Sequence, residues 1–227
     1  MNAMSTDPLA EWQQAHERVC DLVLAADDAA MDRPVPATPD WSARDLLSHM
    51  VGLGADVLAG DEPDDHNERW TRAQVEARRD RSTADLVAEW RALAPDLVGW
   101  MRENGPRPLG DVVIHEQDLR GALGVPGARD TAGLAAVRER MAGRVADAAG
   151  DLPPLLLDGG SWTHVTSGDP AEAVTVVRAD GFDLFRALTS RRTADQLRAW
   201  TVRGDVAPYL DAFAALGPLP ERPLAGE

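Results

Sequence analysis

Lysine is absent from this 227-residue sequence, and all 23 of its basic residues are arginine. Aspartate and glutamate together number 38, which gives a formal net charge of −15 at pH 7. Nucleic acids and anionic membrane surfaces both require a positively charged face on a protein that binds them. We therefore expect neither class of partner.

Cysteine is almost absent as well, since Cys20 is the only one. An internal disulfide is excluded, so the composition gives no indication of an oxidising compartment. Cys20 lies in the apolar segment 19–23 of the first predicted helix, where a small buried side chain is expected. A nucleophilic thiolate would require basic neighbours, whereas the local sequence is acidic.

Long apolar segments are missing too. Residues 1–12 carry neither the basic patch nor the apolar run of a signal peptide. No stretch approaches the roughly 20 apolar residues of a membrane span. The sequence therefore predicts a cytoplasmic protein without a membrane partner, and we expect a monomer or a homodimer.

Helical periodicity is present over residues 8–150. Apolar residues recur at the spacing of a buried helical face, with capping residues and glycines at the ends. Ser42 with Asp45 three residues later predicts a capping box, and Gly60 ends the same helix. The predicted helices cover residues 8–31, 42–60, 68–79, 82–104, 110–124 and 131–149. We expect an antiparallel helical bundle here, with no strand in the first 140 residues.

The character of the sequence changes near Gly150. Runs of β-branched residues between glycines and prolines predict short strands after this point, and two helical segments follow at 182–191 and 193–200. The sequence therefore predicts a mainly α protein with two domains. The first is a helical bundle over residues 1–150, and the second is a small α+β domain over residues 151–227.

The stretch GDVVIHEQDLRGALG, residues 110–124, places polar side chains where a helix normally buries apolar ones. Asp111, His115 and Asp118 stand at positions i, i+4 and i+7, on one stripe of the helix. His49 occupies the apolar stripe of an earlier helix. Two ligands from one helix and a third from another can define three corners of a tetrahedron and leave the fourth open, as in catalytic zinc sites.

A structural role is the alternative for these residues. Asp111 and His115 could form a buried ion pair or hydrogen bond, with His49 elsewhere in the core as a hydrogen-bonded side chain. Asp118 could orient a metal ligand from behind, or it could pair with Arg120 or Arg44.

The remaining polar candidates carry weaker signals. Glu116 points about 100° away from His115 on the helix, so we expect it to be solvated. Asp45 is explained by its capping role. Arg191 and Arg192 either bind a substrate carboxylate or form a solvated pair at a helix end. Other histidines lack partners at matching spacing, namely His16, His66 and His164. The sequence identifies no catalytic or substrate-binding residue.

Two segments carry a family resemblance. PDWSARDLLSHMVGL, around His49, and LGDVVIHEQDLRGALGVP, around His115, resemble the signatures of mycothiol-dependent maleylpyruvate isomerase-like proteins, a branch of the DinB-like superfamily. The match covers about residues 8–150. Residues 151–227 resemble, more loosely, the sterol-carrier-protein-like domain that often follows.

The resemblance implies a DinB-like antiparallel four-helix bundle that holds a divalent metal, usually zinc. The implied ligands are His49, Asp111 and His115. The family often has glutamate at the acidic position, and Asp111 is one methylene shorter, so its helix must lie closer to the metal or a water must bridge them.

The resemblance also implies a chemistry. A low-molecular-weight thiol such as mycothiol would serve as co-substrate. The partner would be a small-molecule substrate, an electrophile that is isomerised or receives the thiol by S-transfer, in preference to hydrolysis. A non-catalytic module that binds a small ligand or a protein is the alternative on the same fold.

Overall fold

The structure, a computed structural model, describes residues 7–63 and 67–226 of the chain. Internal contacts divide the chain into an N-terminal unit, residues 1–127 with 225–227, and a C-terminal unit, residues 128–224. None of the helices in the described ranges is both long enough and apolar enough to cross a bilayer.

The N-terminal unit is built around four long helices. Helix α1 packs against α5 and α6, and helix α3 packs against the same two, so the four form a closed ring around one core. Helix α4 lies on α3. The elements in chain order are α1 (Pro8–Leu24), α2 (Asp28–Met31), β1 (Pro34–Val35), β2 (Thr38–Ser42), α3 (Ala43–Ala59), α4 (Glu68–Glu76), α5 (Thr83–Asn104) and α6 (Pro108–Leu123).

The start and end of α3 confirm the capping prediction. The Ser42 side chain accepts a hydrogen bond from the Asp45 backbone amide, and the Asp45 carboxylate accepts one from the Ser42 backbone amide. Gly60 closes the helix in the left-handed conformation, with φ of 72°. These local signals fix the register of α3 and therefore the position of His49 along it.

The segment between α1 and α3 differs from the expectation. The predicted helix over 8–31 breaks after Leu24, and a new turn begins where the Asp27 side chain accepts from the Ala30 amide. A hairpin of β1 and β2 then follows, so the expectation of no strand before residue 140 is wrong. Its prolines cannot donate backbone hydrogen bonds within a helix, and the buried side chain of Val35 anchors the turn.

The C-terminal unit is a small α+β arrangement, which confirms the predicted fold class. Its sheet has the strand order β4-β3-β5-β6; β3 and β5 run parallel, and the two outer pairs run antiparallel. The strands are β3 (Leu155–Asp158), β4 (Thr163–Val165), β5 (Thr175–Arg178) and β6 (Thr201–Arg203). The helices are α7 (Ala132–Ala149), α8 (Gly181–Leu188), α9 (Ala194–Ala199) and α10 (Leu210–Phe213).

Helix α7 belongs to the C-terminal unit rather than to the bundle. It packs against α8, α10 and β4, all within residues 128–224. The boundary in the structure therefore falls after Gly127, earlier than the change of composition near Gly150 indicates. Amino-acid composition reflects the type of secondary structure, whereas the boundary between the two units depends on which elements pack together.

Candidate metal centre

Helix α6 presents its polar stripe toward α3. Val112 and Leu119 on α6 are fully buried, which fixes the rotation of the helix and turns Asp111 and His115 toward the bundle interior. The structure brings these two residues together with His49 of α3. One potential ligand atom from each of the three lies within 4.8 Å of the others.

Two distances in the cluster match the spacing of ligands around a metal ion. Asp111 Oδ1 lies 3.4 Å from His49 Nε2 and 3.4 Å from His115 Nε2. A well-formed N–H···O hydrogen bond is shorter, about 2.7–3.2 Å. Ligands placed about 2.0–2.2 Å from a tetrahedral zinc ion are separated by about 3.3–3.6 Å. The carboxylate oxygen of Asp111 is therefore spaced from both imidazole nitrogens as two ligands of one divalent metal would be.

The second ring nitrogen of His49 is bound from helix α4. His49 Nδ1 lies 2.7 Å from Gln74 Oε1, and Gln74 Nε2 donates to Asp56 Oδ2 at 2.7 Å. Gln74 is 3% exposed and His49 is 5% exposed. The imidazole is thus held from behind, with Nε2 directed toward Asp111.

The second ring nitrogen of His115 is bound within α6. His115 Nδ1 lies 3.0 Å from Asp118 Oδ2, and Asp118 is buried. The two alternative partners considered for Asp118 are engaged elsewhere: Arg120 binds Glu116, and Arg44 binds Asp28, Asp32 and Thr83. Asp118 therefore lies where it can orient His115.

Electrostatics couple Asp111 and His115. Burial would raise the pKa of the Asp111 carboxyl, but the adjacent His115 and His49 outweigh it and hold that pKa well below its ordinary value. Burial would likewise lower the pKa of His115, whereas the carboxylates of Asp111 and Asp118 raise it to about 9. A metal binding here therefore competes with a proton on His115.

One side of the cluster is open to solvent. The side chains of Asp111 and His115 are 15% and 14% exposed, whereas that of His49 is 6% exposed. The centroid of the Trp41 ring, near the end of β2, lies 5.2 Å from the centroid of the His49 ring, so the indole packs over the imidazole. A ligand from solvent would thus approach on the side of Asp111 and His115.

The alternative of a purely structural Asp111–His115 pair places His49 elsewhere in the core. That placement is wrong, because His49 Nε2 lies 3.4 Å from Asp111 Oδ1.

The expectation that Glu116 is solvated is also wrong, because this side chain is 1% exposed. Its carboxylate accepts from Arg18 Nε at 2.9 Å and Arg18 Nη2 at 2.8 Å, and Arg120 binds the same group. Helix α1 covers the side of α6 that the spacing assigned to solvent.

Arg191 and Arg192, the candidates in the C-terminal unit, are buried at 7% and 4% exposure, so the solvated alternative is wrong. Arg192 donates to Asp183 from Nε at 2.9 Å and from Nη2 at 2.7 Å. Arg191 donates to the Thr189 carbonyl at 2.6 Å. Both therefore take part in the internal hydrogen bonding of that unit.

The remaining candidates lie outside the cluster. Cys20 is buried, and burial raises the pKa of its thiol to about 12, as expected of a structural cysteine. Its Sγ lies 3.8 Å from His16 Nε2, and His16 is stacked on the ring of Trp12. His164 Nδ1 lies 3.1 Å from Glu139. His66 lies outside the described residues.

Gln74 is the site residue that sequence reasoning missed. It lies on a short polar helix whose pattern carries no metal-ligand spacing. One signal was present in Gly52, one turn after His49. A Cβ atom at Gly52 would lie 2.5 Å from Gln74 Cβ, so only glycine allows α4 to approach α3 this closely.

Comparison with known proteins gives one family match. Residues 12–120 match the family described as mycothiol maleylpyruvate isomerase N-terminal domain, and this range contains His49, Asp111 and His115. No curated protein and no solved structure matches the chain.

Proposed function

Since residues 12–120 belong to the mycothiol maleylpyruvate isomerase N-terminal domain family, we propose that this protein is a divalent-metal-dependent enzyme. It would use a low-molecular-weight thiol of the mycothiol type to isomerise a small electrophile, or it would attach that thiol to the electrophile through a C–S bond (S-transfer). The observation that carries the proposal is the equal spacing of Asp111 Oδ1, 3.4 Å from each of two imidazole Nε2 atoms.

His49, Asp111 and His115 would hold the metal. Two imidazoles and one carboxylate form a ligand set used by catalytic zinc sites, and three protein ligands leave a position for a substrate atom. When bound there, zinc would lower the pKa of a coordinated thiol so that it is available as the thiolate near neutral pH.

The surrounding residues of the chain serve orientation and access. Asp118 accepts the Nδ1 proton of His115, which keeps Nε2 directed at Asp111 and increases the basicity of the ring. The exposed edge of Asp111 and His115 is the side from which a thiol and its partner would enter. Trp41 closes the His49 side and limits water there.

Both proposed outcomes begin with attack of the thiolate on the substrate. The thiolate sulfur forms a bond to an electrophilic carbon of a double bond, and the proton lost from the thiol is supplied to the neighbouring carbon. In isomerisation, rotation about the resulting single bond is followed by loss of that proton and cleavage of the same C–S bond, which returns the thiol. In S-transfer, the C–S bond remains in the product; with an aryl chloride the thiolate sulfur replaces the chlorine, the C–Cl bond breaks and chloride leaves.

Metal content is the first test. Wild-type protein supplied with zinc and then desalted should retain about one zinc per chain, measured by elemental analysis. Asp111→Ala, His49→Ala and His115→Ala should each lose it and keep a helical circular-dichroism spectrum. Negligible zinc in wild type and Asp111→Ala alike would contradict the metal site and the enzyme built on it.

Activity is the second test. Zinc-loaded protein is incubated with mycothiol and either maleylpyruvate or chlorodinitrobenzene, with glutathione as the thiol control. Turnover that requires both zinc and mycothiol is the expected result. A protein that binds zinc but turns over neither probe would favour the non-catalytic binding module.

A further inference from the structure

We propose that Gln74 is a positioning residue that determines which nitrogen of His49 faces the metal, and that Asp56 determines the orientation of Gln74. The inference rests on the proposed metal site and adds helix α4 to it. Gln74 hydrogen-bonds to both His49 and Asp56, so the two residues act on the site through His49.

The direction of each hydrogen bond follows from the chemistry of Asp56. A carboxylate oxygen accepts hydrogen bonds, so the group of Gln74 that faces Asp56 must be its amide Nε2. The amide Oε1 then faces His49 and can only accept. A proton therefore resides on His49 Nδ1, and Nε2 is the nitrogen that faces Asp111.

Burial makes this assignment stable. Gln74 and His49 are 3% and 5% exposed, so bulk water cannot replace a lost partner. A buried imidazole in the opposite tautomer would place two acceptors, Nδ1 and Oε1, against each other. The chain Asp56–Gln74–His49 therefore keeps a proton on Nδ1 and leaves Nε2 as the nitrogen available to a metal.

The packing of α4 holds Gln74 in place. Gly52 of α3 provides the space in which the Gln74 side chain lies. Arg78, just beyond α4, donates to Glu89 of α5 from Nε at 3.0 Å and from Nη2 at 2.6 Å. The two sides of the site therefore differ: His115 is oriented by its own helix, whereas His49 depends on a second helix docked against α3.

The test compares two substitutions of Gln74 in one background. Asp56→Asn serves as the common background, because a carboxamide can present either its oxygen or its NH2 group to position 74 and so no longer fixes the orientation of a glutamine there. In the Asp56→Asn background, Gln74→Glu retains an acceptor for His49 Nδ1 and can accept from the carboxamide at position 56. Gln74→Met has a similar length and is apolar, but it offers no acceptor.

Zinc affinity is measured by competition with a chromogenic chelator. We expect Asp56→Asn/Gln74→Met to bind zinc roughly 10- to 100-fold more weakly than Asp56→Asn/Gln74→Glu. A role in packing alone predicts the reverse order, since neutral methionine fits a buried position better than glutamate. That reverse order, or equal affinities, would overturn the inference.

A second measurement separates this inference from the metal proposal. In ¹⁵N-labelled protein without zinc, His49 should show a slowly exchanging Nδ1 proton, and Gln74→Met should lose it. If wild type binds no zinc, the proposed function fails, while this proton and its dependence on Gln74 would still support the orientation of His49. If wild type binds zinc but Gln74→Met keeps the proton, the inference fails and the metal site stands.

Discussion

Arg18 on α1 and Glu116 on α6 form a two-point ion pair, with Arg18 Nε 2.9 Å from Glu116 Oε1 and Arg18 Nη2 2.8 Å from Glu116 Oε2. Glu116 directly follows His115 in the sequence. Glu116 is buried, and Arg120 of the same helix binds it as well. One side of α6 therefore carries the metal-ligand candidates, and the next side is fixed to α1. Together with the buried Val112 and Leu119, the ion pair holds α6 in the rotation that turns Asp111 and His115 toward α3.

Removal of this carboxylate should destabilise the bundle. Glu116→Ala leaves Arg18 and Arg120 without their shared acceptor, and we expect a loss of about 3 kcal/mol in the free energy of unfolding. Glu17→Ala is the matched control, because Glu17 also joins α1 to another helix through Arg91 but is exposed. It should cost less than about 1 kcal/mol. Urea denaturation of both variants measures the difference, and equal losses would contradict the argument.

Zinc affinity should rise steeply with pH. Asp111 and Asp118 raise the pKa of His115 to about 9, so zinc must displace a proton at neutral pH. Between pH 6.5 and 8.5 this group alone should increase affinity by about 80-fold, compared with about twofold for an unshifted imidazole. Sequence alone would place the loss of metal below about pH 6.5. Chelator competition at several pH values decides between these outcomes.

The raised pKa of His115 should make the stability of zinc-free protein fall as the pH rises, whereas zinc affinity should increase. Because the pKa of His115 is raised, the stability that it contributes is fully present below its ordinary value of 6.5 and is lost as the pH rises through about 9. Asp111 has a lowered pKa, so its contribution is present above 3.8 and is lost only as the pH falls through the folded value. Thermal denaturation of zinc-free protein should therefore show His115→Gln approaching wild type as the pH rises from 6.5 to 9.

Gly52→Ala should weaken both the bundle and the site. The new methyl group would lie 2.5 Å from Gln74 Cβ and 2.8 Å from Gln74 Cγ, which forces α4 away from α3. We expect a loss of about 1–3 kcal/mol in stability and a lower zinc affinity. Gly99→Ala on α5 has nothing within 4 Å of the new atom and should stabilise by up to about 1 kcal/mol. Similar behaviour of the two variants would contradict the close-approach role of Gly52.

Asp118 should affect zinc binding through charge as well as geometry. Asp118→Asn keeps an oxygen that can accept from His115 Nδ1, so its zinc affinity should fall less than that of Asp118→Ala, for which a loss of roughly 10- to 100-fold is expected. Asp118→Asn should also lower the pKa of His115, since Asp118 is one cause of its upward shift. NMR titration of the His115 ring in zinc-free protein measures this, and an unchanged pKa would count against the role of the charge.

Local signals in the sequence predict the helices well. The Ser42–Asp45 capping box, Gly60 and Gly124 each stand where the structure begins or ends a helix. The helical spacing of Asp111 and His115 places them on one face, as the structure has them. These features depend on residues close in the chain, and such short-range rules can be read from one sequence.

The features that sequence reasoning missed depend on contacts distant in the chain. Glu116 is buried because α1 covers it, and Arg18 lies far away in the sequence. Gln74 matters because α4 docks on α3 at Gly52. Helix α7 joins the C-terminal unit through packing that its own periodicity does not specify. No local pattern identifies the partner of a helix face, so a polar residue facing outward on a helical wheel cannot be assigned to solvent.

The placement of Gln74 on α4 has a kinetic consequence. Helix α4 has nine residues, and its hold on His49 lasts only while it remains folded against α3. Short elements open more often than the bundle to which they attach. Each opening of α4 would release the His49 ring, so the residence time of a bound ion should follow the opening rate of α4, as reported by its amide hydrogen exchange, rather than the global unfolding rate of the protein.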